Sequence, residues 1–146
     1  MKYYLTVAAW LLMFAQGIAT AGVTAEILAQ GATGWDGGAI TYPKNNPEMT
    51  VQKISITTDG QEVVLPIHCH TIPLAAYVLT GSVKVIKTSG EEKLFKAGDA
   101  FIEVMKSWHK GIFTEDTELL VFYAGEKGVP LSVKQDADGE LSKLCH

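Results

Sequence analysis

Three of the four histidines fall where their side chains could meet. His68 and His70 are separated only by Cys69, and His109 lies far downstream in Trp108-His109. Side chains alternate along a β-strand, so residues i and i+2 leave the same face. Two neutral imidazoles on one face are two legs of a metal tripod, and a third from a neighbouring strand completes it. Such a set suits iron, zinc, manganese, nickel or copper, and the sequence does not choose among them. The same three residues also read as strand histidines with hydrogen-bonded rings and no metal. What surrounds them decides which reading is stronger.

The frame is a series of short strands with turn residues between them. Residues 50–57 alternate, with Ile54 and Ile56 on one face, and Asp59-Gly60 marks a turn. Residues 63–70 read as extended, with Pro66 suggesting an edge or a bulge. Strands are expected at 75–79, 83–87, 93–96, 100–104, 108–113, 118–123 and 129–133, punctuated by Gly81, Ser89-Gly90 and Gly98-Asp99. Helical periodicity is absent beyond the first 21 residues, except for a weak trace at 24–30. Many short strands at regular spacing predict an all-β antiparallel barrel or jelly roll. Residues 134–146 are polar and read as a loosely held tail ending in His146.

Residues 65–81, from Leu65 to Gly81 through His68-Cys69-His70, resemble the first motif of the cupin family. That motif is a His-x-His, a short loop, and an apolar strand ending in a turn glycine. Residues 98–109, from Gly98-Asp99 to Trp108-His109, resemble the second, in which a histidine ligand follows the Gly-Asp turn by eleven residues. Gly34-Trp35-Asp36-Gly37, the segment 42–48 and Val121-Phe122-Tyr123-Ala124-Gly125 look like those of small exported cupins. The resemblance spans roughly residues 34–133. It implies a double-stranded β-helix, a divalent metal held by His68, His70 and His109, and a homodimer formed through edge strands.

The departures from the family pattern matter as well. Cupins with a full ligand set carry a glutamate four residues after the second histidine, where this chain has Leu74. The usual proline, glycine and trailing asparagine of the second motif are replaced by Val104, Lys106 and Phe113. Glu103 is the one carboxylate close to the expected site. It is the candidate catalytic acid or base, or a substitute ligand. As a strand glutamate it reads slightly more readily as an outward, solvated residue.

Length and composition agree with one small domain. The chain has 146 residues, 47% of them hydrophobic, and a net charge of −4. No cluster of lysine or arginine appears, so nucleic-acid binding has no electrostatic footprint. The N-terminus reads as a leader. One basic residue, Lys2, precedes an apolar run from Leu5 to Ile18, and Ala19-Thr20-Ala21 fits a signal-peptidase site. Residues 1–21 are therefore expected to be a signal peptide, and the mature protein periplasmic or secreted, with no membrane attachment. The apolar run is short of the ~20 residues that a membrane span needs.

By alternation Cys69 points away from the histidine face, so it is not expected as a ligand of the same site. Outside the cytoplasm two cysteines can pair, and Cys145 is the other one. Such a bond would staple the tail to the barrel wherever the fold brings the two within bridging distance. Two functional expectations follow. One is an enzyme, a metal-dependent oxygenase or isomerase of a small oxygenated molecule. The other is a non-catalytic binder of metal or small ligand.

Overall fold

A computed structural model describes residues 22, 24–136 and 139–146. The expected leader lies outside the described residues. Among the described residues ten strands appear in chain order: β1 (Pro47–Ile56), β2 (Val63–Val64), β3 (His68–Cys69), β4 (Leu74–Thr80), β5 (Ser82–Lys87), β6 (Glu92–Lys96), β7 (Ala100–Ile102), β8 (His109–Phe113), β9 (Thr117–Glu126) and β10 (Val133–Lys134). One sheet has the order β1-β9-β4-β7. The other runs β10-β3-β8-β5-β6, with β2 also pairing β8. Every pairing is antiparallel, which makes the chain the expected all-β jelly roll. Among the described residues no helix is long and apolar enough to cross a membrane.

Period-two burial shows why these segments are strands. Leu74, Ala76 and Val78 of β4 are buried, and so are Thr117, Leu119, Val121 and Tyr123 of β9. Val83 and Val85 of β5 and Phe113 of β8 face them from the second sheet and close the core. Phe95 and Phe101 stack within it with centroids 3.8 Å apart. His109 occupies the same inward row of β8 as Gly111 and Phe113, so strand periodicity alone sends its ring inside. Gly81 turns the chain from β4 into β5 at φ +72°, where a side chain would collide with Asp116 and Thr117.

Several expectations are corrected. Residues 24–30 carry no helix. Seven residues are too few to nucleate one without a packed apolar face, and Ile27 and Leu28 are exposed. Residues 63–70 are not one strand. Pro66 has no N–H to give to a ladder, and the pairing breaks into β2 and β3 around it. Strand β7 ends at Ile102, so Glu103 lies just beyond it.

The end of the chain is not loosely held. Cys145 is buried and disulfide-bonded to Cys69, with Cα atoms 6.3 Å apart. The His146 N–H donates to Lys106 O (2.9 Å), and the Trp108 N–H donates to His146 O (3.3 Å). Cys69, Val133 and Cys145 form a second small core, with Trp108 and Leu141 packed against it.

Candidate metal centre

Each histidine arrives by a different local device. His68 of β3 stands directly opposite His109 of β8. His70 follows two residues later, just past the end of β3. The ring centroids are 4.5 Å apart for His68–His109, 5.1 Å for His68–His70 and 5.2 Å for His70–His109. One nitrogen from each ring lies within 4.8 Å of the others.

The hydrogen bonds fix which nitrogens those can be. Nδ1 of His68 is 2.8 Å from Pro66 O, Nδ1 of His70 is 2.7 Å from Leu131 O, and Nδ1 of His109 is 2.9 Å from Ser107 O. A carbonyl oxygen only accepts, so each Nδ1 must carry the proton. A neutral ring then keeps its lone pair on Nε2, and all three Nε2 atoms are left free as ligands. Backbone carbonyls behind metal-binding imidazoles play this role generally.

Burial keeps the rings neutral. The pKa of His70 is pushed down to about 3 by burial, then by the charges of His109 and His68. His68 is lowered by burial and by His109, and His109 chiefly by burial. His109 Nε2 is buried and has no hydrogen-bond partner among the described residues. A buried lone pair without a donor is costly to leave unmet. A divalent cation satisfies it, and three neutral imidazoles are a fitting donor set for one.

Glu103 sits close by but is not in the cluster of converging atoms. It is buried, which corrects the reading of an outward, solvated side chain. The Trp35 indole N–H donates to its Oε1 (2.8 Å), and the Val104 N–H donates to the same oxygen (2.9 Å). Among the described residues no donor meets Oε2. Burial raises its pKa, opposed by the Val104 N–H, the Trp35 indole and the nearby His68. Gly34 makes the Trp35 contact possible. A Cβ there would lie 2.9 Å from Glu103 O and 3.1 Å from Val104 Cα, so only glycine lets the lead-in segment approach. Trp35 was visible only as part of the lead-in motif, with no sign that it would touch a carboxylate.

The three histidines, Glu103 and Tyr123 share a cavity of about 80 Å³. Apolar side chains such as Leu65, Val85, Phe101 and Val121 form most of its wall. Leu74 also lines it, in the place where the family pattern has a carboxylate, so no fourth protein ligand stands there. That volume holds a few water-sized molecules. The bend before His109 is built without glycine: Lys106 takes φ +55°. Left-handed backbone costs a non-glycine residue on the order of 1 kcal/mol. Its N–H donates to His70 O (2.8 Å), which ties the bend to the second histidine.

No protein-family model matches the chain, and no curated protein is similar to it in sequence. Solved structures do align. An ethanolamine utilization protein Q from Salmonella typhimurium aligns at 16% identity and TM-score 0.45, over 54% of this chain and 59% of that one. An RmlC-like cupin from Shewanella frigidimarina aligns at 23% identity and TM-score 0.46, over 56% of this chain and 69% of that one. An oxalate decarboxylase from Lactobacillus farciminis aligns at 16% identity and TM-score 0.47, over 59% of this chain but only 26% of its own length. The two antiparallel sheets form an all-β jelly roll, and both histidine-bearing segments meet inside it, which is the arrangement the motif resemblance implies.

Proposed function

We propose that the protein is an exported metalloprotein that holds one divalent ion through Nε2 of His68, His70 and His109 and presents it to a small oxygenated molecule. One observation carries the reading: three rings with Nδ1 committed to backbone carbonyls and Nε2 atoms converging, one of them buried without a partner among the described residues. A bound ion supplies Lewis acidity to an oxygen of the ligand, undiminished by any carboxylate at Leu74. The chain's own residues do the rest. The apolar wall excludes bulk water and limits ligand size. Glu103, kept protonated more readily by burial, offers Oε2 as a proton donor or acceptor, while Trp35 and Val104 hold Oε1 still. This arrangement supports an oxygenase or isomerase.

The second reading is a binder: Glu103 is not among the converging atoms, and a carboxylate held by Trp35 and Val104 away from the ligand would leave the site to hold a metal or small molecule without transforming it. The outer sheet face exposes Met49 and Val51 on β1 and Phe122 on β9, opposite Val51, which supports pairing of two copies.

Metal analysis of the purified protein tests the site, and an oxygen-uptake screen on small diketones and phenols tests the chemistry. One equivalent of metal per chain is expected. Protein that purifies without metal, and whose melting temperature is unmoved by zinc, iron, copper, nickel or manganese, would overturn the proposal. Bound metal with no turnover would favour the binder.

A further inference from the structure

We infer that the C-terminal segment is a redox-controlled clamp on the metal centre. The Cys69–Cys145 disulfide positions the three histidines, and reducing it weakens metal binding without unfolding the barrel. This rests on the metal-binding reading above.

Cys69 lies between two of the three histidines, so its backbone is shared with both. Its side chain points away from them into the small core with Val133, Cys145, Trp108 and Leu141. A bond formed on that side therefore fixes the strand without entering the site. Residues 131–134, which precede this segment, also grip the centre. Val133 and Lys134 pair with Cys69 and His68, and Leu131 O accepts from His70 Nδ1. His146 is joined by main-chain hydrogen bonds to Lys106 and Trp108, the bend that delivers His109.

The non-covalent hold on residues 141–146 is slight. The 3-10 turn Ser142–Leu144 buries no residue, and Leu144 is exposed. Among the described residues, the two main-chain hydrogen bonds to the bend and the packing of Leu141 and Cys145 are what holds the segment to the barrel besides the S–S bond. The disulfide closes a separation of 76 residues, so the chain entropy it removes is large. Once it is cut, the last residues can leave while the main core, which does not include them, stays packed. Two thiols accomplish the cut. They become a disulfide, and the two electrons and two protons they give up convert the protein bond into the Cys69 and Cys145 thiols.

Cobalt(II) is the probe, because its visible absorption reports ligand geometry as well as occupancy. The full chain is titrated in three forms: oxidised, reduced by a phosphine that does not chelate the ion, and as the C69A/C145A double variant. Circular dichroism follows the barrel in each. Hydrogen exchange at the Trp108 and His146 amides follows the clamp. The oxidised protein should bind cobalt. The reduced and double-variant forms should bind at least about 10-fold more weakly with an altered spectrum. Both amides should exchange faster while the dichroism is kept. Equal affinity and spectrum in all three forms would overturn the clamp and leave the metal site standing. Loss of the β dichroism on reduction would also overturn it, since the bond would then hold the whole fold. Failure of the oxidised protein to bind cobalt would overturn the metal-binding reading itself.

Discussion

His68 and His109 are direct cross-strand partners, joined by the antiparallel register of β3 and β8, with ring centroids 4.5 Å apart. Forty-one positions separate them in sequence, and one pairing brings them together. His70 joins because it is two residues beyond His68 on a chain that has just left the ladder.

Removing a ligand should strip the metal. His68→Ala or His109→Ala is expected to weaken binding by more than about 100-fold, since loss of a residue behind a ligand already costs 10–100-fold. His146→Ala should have little effect, because His146 contributes main-chain bonds rather than a ring. Metal content after dialysis checks both.

Acid should destabilise the metal-free protein in a defined window. The folded pKa of His70 is lowered to about 3 from an ordinary 6.5, and His68 and His109 are also lowered. The unfolded chain thus binds protons first. Stability contributed by neutral burial is complete above about pH 6.5 and is lost as pH falls, for His70 towards about 3 and by up to about 1.4 kcal/mol per pH unit, with His68 and His109 adding in the same direction. Urea midpoints measured across that range, in wild type and His70→Ala, should show a steeper fall in wild type.

Trp35→Phe should act on Glu103 without touching a ligand. It removes the indole donor to Oε1, so the carboxyl pKa should rise further above the ordinary range. A stability loss of about 1–3 kcal/mol is expected from the lost hydrogen bond to a buried group. Infrared titration of the carboxyl band and chemical denaturation read the two effects. An unmoved band would show that the contact does not tune the acid.

Leu74→Glu restores a carboxylate where the family pattern has one. Leu74 is buried and lines the same cavity as the histidines. The variant should be less stable than wild type without metal, because a carboxyl replaces core, and more strongly stabilised by added zinc. Melting curves with and without the ion check the crossing.

Protein recovered from the periplasmic or secreted fraction should begin near Gly22, as the basic residue, apolar run and Ala19-Thr20-Ala21 site imply. Mass spectrometry of the N-terminus decides, and intact Met1 in cytosolic protein would contradict export.

Local pattern in the sequence was enough to give most of the strands, because period-two burial is written residue by residue in segments such as Leu74–Thr80 and Thr117–Glu126, whereas the expected strand at 129–133 is reduced to Val133–Lys134. It also marked the histidines and the missing carboxylate at Leu74, since spacing is a property of the chain alone. Pairing is not. The partner of His109, the burial of Glu103 under Trp35 and the grip of Cys145 on Cys69 all join residues far apart in sequence, and only the closed sheets bring them into contact. Even the end of the chain, polar enough to read as free, is held by two main-chain bonds and a disulfide that no composition reveals. Tertiary structure also decided which imidazole nitrogens stay free, because the carbonyl that holds His70 Nδ1 comes from Leu131, 61 residues away.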